Sequence, residues 1–307
     1  FADLDAVCSC LEACLDREVA FSVDELEQAF SAARIKHLFA PFVTGSITDL
    51  MDQYFTTDEI KAVIGYTATF GTNAGPRDPG TAYVMTHHML GNVTGRRGRS
   101  VYVRGGRGGL SDALVRAAKH FGAMLCSGTD IVSIVSKNGA ATGVETADGQ
   151  RFAARAVISN ADPKTTYLRL VGSAHLDSDF VDRITAIDTN GVAIKVNCAL
   201  ERLPRFSCLP DNITPPRVSI CPSLAYVETA WQSAKRKQLP SHPYMTVHMQ
   251  SAIDPTLAPA GKHTLTFTTS AFRAINLSIH FGTSSQFREF CLTLFTMVTV
   301  NGHVFSP

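Results

Sequence analysis

Gly105-Gly106-Arg107-Gly108-Gly109 stands between a short apolar run at 101–103 and an amphipathic stretch behind Ser111. A glycine loop between a strand and a helix lets a ligand approach the backbone closely, because no Cβ intervenes. The helix start behind such a loop offers unpaired N–H groups to an anion or a polar ring. The chemistry expected there is binding of a nucleotide cofactor or of its substrate. Gly106, Gly108 and Ser111 occupy the positions of a G-x-G-x-x-G dinucleotide fingerprint, and Asp130 stands in for the ribose acid. The match is partial: serine replaces the third glycine, and Asp130 precedes a strand rather than ending one. A glycine loop that admits another part of a ligand, or another helix, stays open beside it.

Arg96, Arg97, Arg99, Arg104 and Arg107 crowd the same region. A repetitive RGG tract would bind RNA, but this segment occurs once and is flanked by strand and helix patterns, so nucleic acid is not expected as a partner. A solvated basic loop and contact with an acidic cofactor or substrate are the two readings. His87-His88 sits in an apolar helical pattern, where adjacent residues face different ways and make no metal pair. Cys8, Cys10 and Cys14 have no histidine nearby to complete a zinc site and read as small buried residues. The chain has no C-x-x-C and no G-x-S-x-G. No side chain is an evident catalyst and no metal site is expected, so any redox chemistry must be carried by a cofactor.

With 307 residues, 45% of them hydrophobic and 18% charged, the chain is long enough for one large or two interleaved domains. A net charge of +1 gives no bulk attraction to nucleic acid or to a membrane surface. No apolar run reaches the ~18 residues of a membrane span. The start, Phe-Ala-Asp-Leu, has no basic segment leading into an apolar one and no initiator Met, so an N-terminally incomplete chain is expected. Eight scattered cysteines in so long a chain point to a reducing compartment rather than a disulfide scaffold. The sequons at Asn92, Asn212 and Asn276 carry no weight without a sign of secretion.

The elements that must position the loop follow from periodicity. Helices are expected from Phe1 to about Phe55, from Thr57 to about Phe70 and from Ala82 to Leu90, with a Gly/Pro loop at 71–80. A strand at 101–103 is expected to feed the glycine loop. Ser111 is the expected N-cap of the next helix, with Leu110, Leu114, Ala117 and Phe121 on one face and Gly122 as its left-handed cap. A strand from Ile131 to Val135, hairpin turns at Asn138-Gly139 and Asp148-Gly149, and a doubly buried strand at 156–158 complete a βα unit and meander returning to a main sheet. Asp162-Pro163 opens a helix with Tyr167, Leu168 and Val171 inward. Val192–Leu200, Tyr244–Gln250 and His263–Thr269 read as strands of an antiparallel sheet, and the tail after Ser270 shows no clear period.

The segments GGRGGLSDALVRAAKHFGA and TDIVSIVSKNGAATGVETADGQRFAARAVISNADP, in this order, resemble the phytoene desaturase-like FAD oxidoreductases of the amine-oxidase-like superfamily. The resemblance runs over roughly the first 270 residues. It implies an α/β fold: an FAD/NAD(P)-binding fold, incomplete here, interrupted by an α+β substrate domain. Residues 1–100 would be the helical part of the substrate domain, 101–163 an FAD-domain segment, 164–270 the substrate-domain sheet and helices, and 271–307 an atypical tail. It also implies FAD as cofactor, with backbone contacts to the cofactor at Ile131, Asn160 and Ala161. Gly106, Arg107, Gly108 and Gly109 would line the cavity at the flavin ring. An apolar small molecule is the implied substrate, desaturated by hydride transfer to flavin. Arg107 replaces the common methionine and makes that contact less apolar. A close relative within the family implies a mitochondrial, in any case intracellular, setting. The alternative is a non-catalytic binding or scaffold protein that keeps the fold without the cofactor.

Overall fold

The computed structural model of the chain describes residues 1–16, 21–91, 94–99, 101–189, 193–204, 206, 209–210, 212–236, 238 and 240–270. The expectations for the tail at 271–307 and for the sequons at Asn92 and Asn276 lie outside them. The chain divides into two units: Phe1–Leu110 with the described part of Asn190–Pro307, and Ser111–Thr189.

The first unit opens with helices α1 (Ala2–Leu15), α2 (Val23–Ala32), α3 (Ile47–Tyr54), α4 (Asp58–Gly65) and α5 (Thr81–His88). Local chemistry sets their starts. The Ser22 hydroxyl accepts from Glu25 N–H while the Glu25 carboxylate accepts from Ser22 N–H, which pairs two otherwise orphaned groups. The Ser46 hydroxyl accepts from Asp49 N–H at the head of α3. Val7, Leu11, Phe30, Ile47 and Leu50 recur at helical spacing and close a core at 0–1% exposure. Arg97 is held at the face of this bundle by Glu12, by Asp5 at 3.2 Å and by the Ser9 hydroxyl at 3.0 Å. Its charge therefore serves the fold.

The same unit holds an antiparallel sheet of β4 (Ala193–Leu200), β5 (Arg217–Ile220), β6 (Met245–His248) and β7 (His263–Ser270), in the order β4-β7-β6-β5. Alternation places Met245, Val247, Leu265 and Phe267 in one core with Phe206. Helix α8 (Leu224–Lys235) adds Val227, Ala230 and Trp231 around Tyr244. Two hydrogen bonds tie this sheet and helix to the rest of the unit. The hydroxyls of Tyr244 and Thr69 share a hydrogen bond of 2.7 Å, and the Trp231 indole donates to the Asp78 carboxylate at 2.8 Å.

Helix α6 (Gly106–His120) starts in the first unit and leads into the second. The second unit contains a three-stranded antiparallel sheet, β1 (Ile131–Lys137), β2 (Ala140–Thr146) and β3 (Arg151–Ala153), with helix α7 (Ser178–Ala186). Asn138 and Gly139, at φ 52° and 77°, form the mirror-image turn their types demand. At the second turn only Gly149 is left-handed, and Thr146 and Gln150 bond the Asp148 carboxylate instead. Gly122 caps α6 at φ 86°, with Ala123 N–H returning to Ala118 O.

The structure departs from the sequence reading in identifiable places. Residues 101–103 and 156–158 are not strands, and Ile158 is 98% exposed. An extended apolar run becomes a strand only where a neighbour accepts its backbone bonds, and among the described residues none lies alongside either run. The hairpins therefore make their own small sheet and do not return to a larger one. Helix α6 begins at Gly106, not behind Ser111, and Leu110, Leu114 and Phe121 are exposed. In the second unit the segment Lys164–Gly172 packs on β1. In that segment, wound with π spacing, Thr166 and Leu170 are buried, Leu168 and Val171 half-buried and Tyr167 exposed. The whole is an α+β arrangement of helices and antiparallel sheets.

Candidate functional site

Strands β5 and β6 pair antiparallel with Arg217 directly opposite His248. Residues so placed have Cβ atoms about 4.5–5.5 Å apart, so their side chains share one face and one neighbourhood. Beyond β6 the chain makes short 3₁₀ turns at Gln250–Ala252 and Pro255–Leu257. Asp254 sits between them. Its carboxylate accepts from Thr256 N–H at 3.1 Å, from the Thr256 hydroxyl at 2.6 Å and from Gly105 N–H at 2.7 Å. Asp254 thus staples the glycine turn to the end of the sheet.

The turn closes over a cavity of about 220 Å³ lined by Val103, Gly106, Arg107, Arg217, His248 and Leu257 among others. Gly105 and Gly106 are left-handed at φ 79° and 67°, which is why glycine stands at both. A Cβ on Gly109 would lie 2.5 Å from Arg104 O, so that glycine is required by the loop itself. A Cβ on Gly108 would meet nothing within 4 Å.

The lining carries the cations Arg107 and Arg217 beside His248. Arg217 donates Nη2 to the Tyr66 hydroxyl, which also accepts from the Ser219 hydroxyl at 3.0 Å, and its guanidinium lies 5.7 Å from the Tyr66 ring centre. Arg217 Nε and His248 Nδ1 are buried and have no hydrogen-bond partner among the described residues. Such an unpaired buried group costs roughly 1–3 kcal/mol. Burial, reinforced by the charges of Arg217, Lys195 and Arg107, holds the His248 imidazole below its usual range. Asp254 is held below the usual carboxylate range by the Thr256 hydroxyl first and the Gly105 N–H next.

Of the residues singled out from the sequence, Gly106 and Arg107 line this cavity, and Gly108 and Gly109 follow in the first turn of α6. Ile131 opens β1 in the second unit at 36% exposure. Asn160 and Ala161 are exposed there, with Ala161 N–H on the Ser159 hydroxyl at 3.3 Å. The sequence reading missed Arg217 and His248, because a strand pair separated along the chain leaves no local signature.

Among the described residues no strand precedes the glycine turn, and Gly109 is required by the Arg104 carbonyl. His87 packs on the Tyr83 ring and His88 on Phe70. Burial pushes the Cys8 thiol up to about 11, well away from reactivity. Among the described residues no cluster of His, Cys, Asp and Glu is placed to hold a metal ion, and no helix is long and apolar enough to cross a membrane.

No protein-family model matches the chain. The mouse protein "Pyridine nucleotide-disulfide oxidoreductase domain-containing protein 2" is 34% identical over 236 residues, covering 74% of this chain and 41% of that protein. The "Phytoene desaturase" of Fusarium fujikuroi is 27% identical over 227 residues, covering 72% of this chain and 36% of that one. The chain therefore spans about two fifths of the length of the curated relatives it matches. Among solved structures, an oxidoreductase from Methanosarcina mazei superposes with a TM-score of 0.53 at 18% identity, over 88% of this chain and 56% of that one. A protein of Pyrococcus furiosus gives 0.54 at 17% identity, over 86% and 58%. At those identities the likeness speaks for the fold alone.

Proposed function

We propose that this chain, a homologue of pyridine nucleotide-disulfide oxidoreductase domain-containing protein 2 and of phytoene desaturase, supplies the substrate cavity of an FAD-dependent oxidoreductase. One observation carries the reading. The glycine turn singled out from the sequence, Gly106-Arg107, lines one cavity together with Arg217, His248 and several apolar residues. A flavin enzyme of this kind asks little of protein acids or bases. Bound FAD supplies the hydride acceptor, and the protein holds the reacting C–H in reach, which is mainly a matter of position.

In this reading Asp254 keeps the glycine turn in place, the apolar wall excludes water, and Arg217 with His248 fixes one end of the substrate. The nucleotide cradle belongs to the part of the relatives' length that this chain does not span, and Ile131, Asn160 and Ala161 meet the cofactor through backbone. A mitochondrial setting is part of the same proposal.

FAD titration followed by visible absorbance tests it. The 307-residue chain by itself is expected to bind FAD weakly. A protein of the relatives' length carrying these residues is expected to hold one FAD per chain, bleached anaerobically by its substrate. Failure of that longer protein to bind flavin would leave a non-catalytic binding protein.

A further inference from the structure

The lining of the cavity under the glycine turn combines apolar side chains with cationic ones. Leu110, Ile253 and Leu257 give it an apolar side. Arg217 and His248 face each other across β5 and β6, and Arg107 adds a further cation to the lining. Asp254 is the carboxylate of the lining, and its oxygens are engaged by Gly105 and Thr256. The guanidinium is held in place by its bond to the Tyr66 hydroxyl. Its Nε, and Nδ1 of His248, are left without a partner among the described residues.

We propose that this cavity binds an amphipathic carboxylate, with its head at Arg217 and His248 and its chain along Leu110, Ile253 and Leu257. The inference rests on the reading of the cavity as the substrate site and names the substrate class. A pure hydrocarbon leaves the two nitrogens unpaired. An amine is repelled by Arg107, Arg217 and neighbouring Lys195. A planar group with two oxygens matches what remains of a guanidinium already fixed at one end. The cavity's volume, about 220 Å³, is below the usual range for a whole ligand. It suits the head and first carbons of a longer molecule.

Isothermal titration of the chain, without flavin, with octanoate, 1-octanol and acetate tests this. Octanoate is expected to bind at least tenfold tighter than either of the others, because only it has both the charge and the chain. Arg217→Gln is expected to cost octanoate at least tenfold and leave octanol unchanged, with the fold checked by circular dichroism. If that variant does not fold, the comparison of probes on the unaltered chain still decides. Equal binding of octanol and octanoate overturns the proposal, as does acetate binding as well as octanoate, no binding of octanoate, or a folded Arg217→Gln with unchanged affinity. The two readings fail separately. Octanoate selectivity in a protein that never binds FAD sinks the flavin reading alone, and a flavoprotein without that selectivity sinks this one.

Discussion

Gly108 and Gly109 are neighbours of one type with opposite reasons for being there. At Gly109 a methyl group would meet the Arg104 carbonyl at 2.5 Å, a backbone atom that cannot swing away. Gly109→Ala is therefore expected to destabilise the protein by about 1–3 kcal/mol, the usual scale of overpacking. At Gly108 a methyl group meets open space and the residue lies in a helix, so Gly108→Ala is expected to stabilise by up to about 1 kcal/mol. Urea unfolding of the two variants checks the contrast. A gain at neither position, or equal losses at both, would contradict this account of the turn. The serine that completes the apparent fingerprint, Ser111, sits inside α6 and not at its start. The spacing was readable, but the helix beginning that would give it meaning lies at Gly106.

At the scale of elements, what could be read from the sequence was what local chemistry decides. Asn138-Gly139 and Gly122 each act within a few residues, and each does what its type requires. The alternation of 193–200 likewise appears as a half-buried strand. What could not be read depends on distant partners. The runs at 101–103 and 156–158 have the composition of strands but no described neighbour to pair with. Arg217 and His248 become a site only because β5 and β6 align in register. Arg107 carried the earliest hint of a polar cavity, since it stands where the family that the sequence resembles commonly has methionine.

For the whole molecule, the two units differ in how much core each strand has. Met245, Val247, Leu265 and Phe267 are at most 4% exposed in the four-stranded sheet. In the other sheet β3 is exposed throughout, and β1 buries only Ile134. Opening free energy follows buried apolar contact. Amide exchange is accordingly expected to be at least tenfold slower in 245–248 and 263–268 than in 140–153, as read by mass spectrometry of peptides from the intact chain. Equal protection in both sheets would contradict that ordering. The organisation fits a division of labour in which the first unit, with its stapled turn and paired strands, holds the ligand cavity.

The most direct measurement is a pH titration of the His248 ring by nitrogen NMR, assigned with His248→Gln, with and without octanoate. Burial and the charges of Arg217, Lys195 and Arg107 depress the free imidazole. A carboxylate beside it stabilises the charged ring, so octanoate is predicted to move the His248 midpoint upward. By linkage, octanoate is also predicted to bind more tightly as pH falls through that range. A His248 midpoint that stays where it was at saturating octanoate would contradict the account.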